Sequence, residues 1–517
     1  MTSHEDVAVG RWRPGWPLIC AIAVFIVLMA DLIGLSLHGG LFAEDDAYYY
    51  LVIARHIAET GVSTFDGQAL SNGYHPLWMA VLVLQDLATG PSLFITFTIE
   101  ALLVSAALLL FLRRAPVVQG FTSVGFSILY LFLLTPLVMR GMEISLVVFC
   151  IALLVEAIEA VRTRGGRGVL LGLACAAVVG ARIDAAFFVA PILLFAPASR
   201  RARLQALAVV AGLGAVYGLS NLLIFGALTP ISSGVKSLGG LQINYPLLRQ
   251  FSGIAHGRAN GSLYFVTLLA LLASPVLVWL SRPGTITRTL AIGSAIGGAL
   301  YVAKLLLASS WVIWSWYNFA LLFPLVAGFY VGVDLLGRWR MPTWTVRAVA
   351  LAGLAILLVQ AGPGLARPFR IDAGYAALNT EALARYGPVL AGQPVAMGDR
   401  AGSFAMAYPG PVVQLEGLVN DKAYFAALKR RDDVTQLLCD RGVKFVADYE
   451  VDLPAYETHR INIFRTVLTQ AKGPTLVVHR RDEIGRVADP AHLNTQFAGD
   501  EADNTLYLWR LSCPTRR

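Results

Sequence analysis

Apolar runs of membrane-crossing length recur along most of this 517-residue chain, and no other feature restricts its fold as much. A helix needs about 20 consecutive apolar residues to cross a bilayer, with shorter ones tolerated inside a bundle. Such runs lie near 15–37, 93–112, 117–138, 144–161, 168–181, 185–198, 204–226, 262–281, 289–309, 317–336 and 346–366. A large soluble core does not distribute its apolar residues this way. The composition agrees, with 56% of residues hydrophobic and 14% charged, against about 25% charged in soluble proteins. The expected fold is a polytopic α-helical membrane protein of about eleven spans. The first run starts near Trp16 without a small-residue cleavage site after it, so it reads as a retained span.

Charge sets the orientation. The net charge is +8, but the basic residues cluster in short loops, which reports topology and excludes nucleic-acid binding as the reason for the charge. Arg11 and Arg13, Arg113 and Arg114, Arg162, Arg164 and Arg167, Arg200, Arg201 and Arg203, Arg282 and Arg288, and Arg338, Arg340 and Arg347 all fall on one side, the cytoplasmic one by the positive-inside rule. Counting Pro76 to Gly90 as a further span would reverse every later loop. That segment is short and carries Gln85 and Asp86, so it reads as an interfacial or re-entrant helix on the outer face. Residues 1–366 then form the transmembrane domain, with a first outer loop at 38–92, and residues 367–517 lie outside the cytoplasm.

The tail differs in composition. Dense charge accompanies short strand-like runs at Pro394–Met397, Val412–Leu415, Val443–Ala447, Thr475–Val478 and Thr505–Leu511, with helical stretches such as Lys422–Cys439 between them. This pattern predicts a small soluble α/β domain. Gly398-Asp399-Arg400-Ala401-Gly402 lacks the G-x-G-x-x-G spacing of a dinucleotide-binding turn and reads as a plain βα turn. Cys20, Cys150 and Cys175 lie in apolar spans as small buried hydrophobes. Cys439 and Cys513 could form a bridge if the tail is extracytoplasmic.

The chemistry concentrates in the first outer loop. Residues 44–60 have helical spacing, with Ala47, Tyr50, Leu51, Ala54, Ile57 and Ala58 on one side and Glu44, Asp45 and Asp46 in the first turn. One acidic residue there would complement the helix dipole by ~0.3–1 kcal/mol. Three in a row, lacking an adjacent basic partner, repel one another and raise at least one pKa. A raised carboxylate pKa suits a general base that takes a hydroxyl proton. Charges at the edge of an apolar bundle are costly and are usually kept for a task.

Other polar groups are expected on the same side. Asn72-Gly73-Tyr74-His75-Pro76 is a turn followed by a helix start. Arg140-Gly141-Met142-Glu143 lies between two spans, Arg182-Ile183-Asp184 sits at the tip of a short hairpin where the two charges can pair, and Thr229 to Lys236 opens the longest later loop. Trp311, Trp314, Trp316 and Tyr317 fit an aromatic belt. Asp45, Asp46 and His56 lack the paired-histidine or H-E-x-x-H spacing of a metal site, so no metal or other cofactor is expected. A phosphate leaving group needs cations in a dry site, for which Lys236, Arg140 and Arg182 are available.

On these residues the chain resembles the GT-C superfamily of polyprenyl-phosphate-sugar glycosyltransferases. The acidic pair after the first span is similar to that superfamily's first-loop motif. The string Asp45-Asp46-Ala47-Tyr48-Tyr49-Tyr50 with Asn72-Gly73-Tyr74-His75-Pro76-Leu77-Trp78 resembles bacterial members akin to the mycobacterial terminal arabinofuranosyltransferase. Gly141-Met142-Glu143, Arg182-x-Asp184, Pro230 to Lys236 and Gly417-Leu418-Val419-Asn420-Asp421 are similar to later motifs of that group. The chain departs from it in Ile231-Ser232-Ser233 after Pro230 and in Ile144, departures that bear on the donor sugar.

The resemblance implies inverting transfer of a sugar from a polyprenyl-phosphate donor to a glycan, lipid or protein acceptor, at the outer face of a bacterial inner membrane and among its lipids, without a catalytic metal. Asp45 or Asp46 is expected to take the acceptor proton, with Asp45 preferred as the base and Asp46 as the group that orients acceptor or donor. Tyr49, His56, Asn72, Tyr74, His75, Arg140, Glu143, Arg182, Asp184, Lys236 and Tyr317 are expected to bind donor or acceptor, with Lys236 or a neighbouring arginine steadying the departing phosphate. Two other readings stand beside this one. A transporter or flippase of lipid-linked glycans predicts polar residues mid-span and inverted repeats, whereas Lys304 is the obvious cation inside a span. A scaffolding subunit leaves the acidic pair unexplained.

Overall fold

Small residues decide how the apolar helices approach one another. The computed structural model describes residues 15–38, 41–115, 123, 125–127, 130–131, 137–165, 167–251, 259–338, 374–431, 433–450, 453, 455–464, 474–488 and 505–514. In chain order its first helices are α1 (Gly15–His38), α2 (Asp45–Thr60), α3 (Pro76–Thr89), α4 (Leu93–Arg113), α5 (Ile144–Arg164), α6 (Gly168–Ala181), α7 (Ala186–Phe195) and α8 (Arg200–Phe225). There follow α9 (Ile231–Lys236), α10 (Tyr245–Phe251), α11 (Ala259–Leu280), α12 (Ile286–Leu307) and α13 (Leu322–Arg338). A Cβ on Gly168 would lie 2.1 Å from the Ala202 carbonyl oxygen, and one on Gly172 would lie 2.7 Å from Val209 Cβ, so α6 and α8 touch backbone to backbone. Gly293 and Gly297 bring α12 equally close to α7, at Ile192 and Phe188. This small-xxx-small spacing is how helices associate where lipid removes the hydrophobic drive between them.

Among the described residues, six helices are long and apolar enough to cross a membrane: Gly15–Leu37, Leu93–Arg113, Ile144–Arg164, Arg200–Phe225, Ile286–Leu307 and Trp316–Leu335. Pro76–Thr89, Gly168–Ala181, Ile183–Phe195 and Tyr264–Leu280 are shorter apolar helices. The expected span at 346–366 lies outside the described residues, as does most of the one at 117–138. α8 turns apolar side chains such as Val216 and Leu223 outward, 66% and 75% exposed. An apolar surface of that kind fits lipid better than water.

The tail is an α/β unit, as its alternating pattern predicts. Its elements are α14 (Gly374–Leu390), β1 (Val395–Met397), α15 (Ala401–Ala407), β2 (Val412–Gln414), α16 (Lys422–Arg430), α17 (Thr435–Asp440), β3 (Phe445–Glu450), β4 (Thr458–Asn462), β5 (Thr475–His479), β6 (Glu483–Ala488) and β7 (Thr505–Arg510). Five strands form a sheet in the order β2-β1-β3-β7-β6, with β1 parallel to β2 and β3 (Val395 opposite Val412 and Phe445) and β7 antiparallel to its neighbours. β4 and β5 pair separately. β3 is buried along its whole length. Phe445, Ala447 and Tyr449 on one face join the core that runs into the helical bundle, while Val446 joins Tyr507, Trp509 and Leu438 on the other. Cys439 and Cys513 are bridged, their Cα atoms 5.8 Å apart.

Two expectations need correction. The helix expected over Lys422–Cys439 is two helices, because Arg431 takes a left-handed conformation (φ 60°) that stops α16. α2 does not keep one buried and one wet side. Ala47 to Ala54 are all buried, since α15 covers the face that would otherwise meet solvent.

Candidate active site

The acidic turn of α2 is where the tail meets the bundle. The Asp45 carboxylate accepts the backbone N–H groups of Gly402 (3.0 Å) and Ser403 (2.9 Å) and the Ser403 hydroxyl (3.0 Å). These N–H groups belong to the first turn of α15, which has no helical acceptor for them. The approach requires Gly402, whose Cβ would fall 2.4 Å from the Asp45 carbonyl oxygen and 3.0 Å from Tyr48 Cβ. Burial pushes Asp45 up from the usual carboxylate range, and the Ser403 and Gly402 N–H groups pull it back.

Asp46 is differently placed. It lines an open cleft with Asp45, Glu44, Lys236, Asp399, Arg400, Glu416 and Tyr375, walled by Trp311, Trp314, Trp316 and Tyr317. Burial pushes Asp46 up to about 7; the Lys236 ammonium opposes the shift, and the Asp45, Asp399 and Glu44 carboxylates add to it. Among the described residues no hydrogen bond fixes its carboxylate. Lys236 lies 5.3 Å from the centre of the Tyr317 ring. Its burial favours the neutral amine, but Tyr317 and Asp46 outweigh that and keep it protonated. Trp314 and Trp316 stack at 6.0 Å. The aromatic residues read as a belt are thus walls of the cleft.

Asn72 sets the position of Lys236. Its side-chain oxygen accepts the Ile231 N–H (3.0 Å), and its nitrogen donates to Asn221 Oδ1 (2.7 Å) and the Thr229 carbonyl (3.4 Å). Those bonds anchor the start of α9, whose last residue is Lys236. Tyr74 buttresses the same loop through Ser63 (2.8 Å), and His56 Nδ1 lies 2.8 Å from the Thr64 carbonyl. Tyr49 packs edge-on against Phe65 (5.3 Å), behind Asp45. His56, Asn72, Tyr49 and Tyr74 therefore shape the loop and do not line the cleft.

A second, drier network adjoins it. Glu143 is fully buried and pairs with Arg182, accepts the Tyr50 hydroxyl (3.3 Å) and lies 3.7 Å from His75 Nε2. His75 Nδ1 accepts the Ile183 N–H (3.3 Å). Burial lowers His75 to about 4, so the ring is neutral at physiological pH. Arg182 stands over Phe319 (4.2 Å) and Tyr317 (5.3 Å), which links this network to the cleft. The expected Arg182–Asp184 pair is long at 3.9 Å; Glu143 is the closer partner, and Asp184 also lies 3.8 Å from Lys304. Glu44, read as lacking a basic neighbour, pairs with Arg140 from a loop 96 residues away.

The cleft also has a wall that the sequence reading did not assign. Asp399 and Arg400 follow β1 and Glu416 follows β2, so all three stand beyond the carboxyl ends of neighbouring parallel strands. Ligands of open α/β sheets bind there. The available signal was an acidic residue two positions after each of two short strands. Among the described residues, no group of three His, Cys, Asp or Glu side chains is arranged to hold a metal ion. No protein-family model and no curated protein matches this chain.

Proposed function

We propose that this protein is a membrane glycosyltransferase that moves a sugar from a polyprenyl-phosphate donor to an acceptor hydroxyl with inversion at the anomeric carbon. The observation that carries the proposal is Asp46, a carboxylate raised to about 7 in an aromatic-walled cleft that also holds the Lys236 ammonium. A base of that pKa is matched to taking a hydroxyl proton near neutrality. The acceptor O–H gives its proton to Asp46 while its oxygen bonds to the anomeric carbon. The bond from that carbon to the phosphate oxygen breaks, and its electron pair leaves on polyprenyl phosphate. Lys236 is the preformed positive charge for that leaving group. Trp314, Trp316 and Tyr317 offer flat apolar faces against which a sugar ring can lie.

Of the two carboxylates that the sequence offers as the base, with Asp45 preferred, this division of labour takes Asp46. Both Asp45 oxygens are engaged by Gly402 and Ser403, so Asp45 holds the tail in place and Asp46 keeps a carboxylate for chemistry. The Cys439–Cys513 bridge and the arginine bias support a tail and cleft on the outer face of the membrane. The transporter reading has less support. Lys304, the cation inside a span, lies against Asp184 in the network beside the cleft and not alone along a path.

The test uses the purified full chain in proteoliposomes with polyprenyl-phosphate sugars and oligosaccharide, lipid or peptide acceptors. Release of polyprenyl phosphate with an inverted glycosidic product, lost in Asp46→Asn, is expected. Lipid-linked sugar that changes leaflet with its phosphate bond intact would establish the flippase instead.

A further inference from the structure

Glu100 is a fully buried carboxylate in α4, one of the helices long and apolar enough to cross a membrane, and the cleft does not include it. An ionisable group at such a depth is kept only where something compensates it. Its Oε2 accepts the Gly141 N–H (3.2 Å). Glu100 thus holds the turn at 140–143 by the N–H of Gly141. That turn is tightly seated. Gly141 has a left-handed conformation (φ 77°), and a Cβ there would lie 3.0 Å from Ala47 Cβ and 3.1 Å from Ala43 Cβ. Ala43 and Ala47 bracket the acidic residues Glu44, Asp45 and Asp46. The two ends of the turn carry Arg140, paired with Glu44, and Glu143, paired with Arg182. One buried carboxylate therefore sits beneath a turn that touches the acidic end of α2 through Gly141, against Ala43 and Ala47, and through Arg140, paired with Glu44.

We propose that Glu100 is a positioning residue: by accepting the Gly141 N–H of the 140–143 turn, it fixes the first turn of α2 and so the direction in which Asp46 meets the acceptor. The proposal deepens the transferase reading and rests on it for its kinetic part. It requires an acceptor at this position more than a charge. Glu100→Gln keeps an oxygen for the turn, whereas Glu100→Leu leaves the buried Gly141 N–H without a partner, the costly outcome for a polar group away from water. Misplacing a reacting group by about 1 Å can cost on the order of 10²-fold in rate.

The experiment reads geometry and turnover separately on the detergent-solubilised full chain. Hydrogen exchange is followed in peptides covering 43–50 and 139–146, and steady-state kinetics are measured with a polyprenyl-phosphate sugar. Glu100→Leu should speed exchange in both peptides at least ~10-fold and lower kcat by roughly 10–10²-fold, with donor KM changed less than about twofold. Glu100→Gln should restore most of both. Gly141→Ala leaves α4 untouched and crowds the same contact, so it should reproduce both effects even if Glu100→Leu fails to insert. Wild-type exchange at 43–50 in Gly141→Ala, or loss of activity in Glu100→Gln equal to that in Glu100→Leu, would overturn the proposal. Absence of transfer by the wild type, with the exchange pattern as expected, would instead refute the transferase reading and leave the positioning contact standing.

Discussion

Gly402→Ala is the smallest change that should separate the tail from the acidic turn. The added Cβ falls 2.4 Å from the Asp45 carbonyl oxygen and 3.0 Å from Tyr48 Cβ and Tyr49 Cδ1. The first of these is main chain in a buried helix and cannot rotate away, so α15 must retreat by about 1 Å to restore van der Waals contact. The bonds from Gly402 and Ser403 to Asp45, now 2.9–3.0 Å, then stretch beyond hydrogen-bonding distance. Overpacking costs about 1–3 kcal/mol, and each hydrogen bond to a charged group contributes about 1.5–3 kcal/mol. Partial relaxation leaves a net loss of roughly 2–4 kcal/mol in docking, a fall of about 30- to 1,000-fold in amide protection for α15 and the first turn of α2. Hydrogen exchange on the full chain measures this. Gly212→Ala, on the exposed side of α8 with nothing within 4 Å of its new Cβ, is the control and should show no such fall. Wild-type protection in Gly402→Ala would show that the contact does not hold the tail.

The remaining predictions concern the cleft and the orientation. Activity should rise with pH up to about 7 and then level, because the base works only when ionised and Asp46 is raised to about 7; a profile flat from pH 5 to 8 would remove Asp46 as the base. The same shift means that the folded state binds this proton more tightly than the unfolded chain. The Asp46 contribution to stability is therefore present in acid and lost as pH climbs from about 4 to about 7, which unfolding midpoints at pH 5 and 8 in Asp46→Asn and wild type can compare. Lys236→Ala should lower kcat by at least ~10²-fold, with a smaller loss in Lys236→Arg; equal turnover in wild type and Lys236→Ala would exclude a role with the phosphate. Thiol labelling in intact cells should find Cys439 and Cys513 blocked until reductant is added, and immediate labelling of both would place the tail in a reducing compartment.

Much of this was legible in the sequence because it depends on local rules. The start of α2 at Asp45, the helix after Pro76 and the short strands of the tail follow from periodicity, caps and turn residues near one another in the chain. Asp45, Asp46, Lys236 and Tyr317 were singled out and do share one cleft. What escaped depends on contacts across the fold. Arg140 and Glu44 meet over 96 residues, and nothing near Glu44 announces the partner. The Gly398–Gly402 segment is a βα turn, as expected, but its use as a socket for Asp45 depends on a close approach that spacing does not encode. The same distant contact buries the face of α2 that periodicity assigned to water.

The clasp on Asp45 joins residues 357 positions apart, which gives the protein a birth order. At about 5–20 residues per second of synthesis, the acidic turn waits roughly 20–70 s before its socket exists. Until then α2 lacks the surface that covers it, and the cleft lacks the wall supplied by Asp399, Arg400 and Glu416. A ribosome-bound or prematurely terminated chain would carry the acidic pair without an enclosed place for it to act. The proposed activity would begin only when the later-made socket at Gly402 and Ser403 closes onto the earlier-made acidic turn.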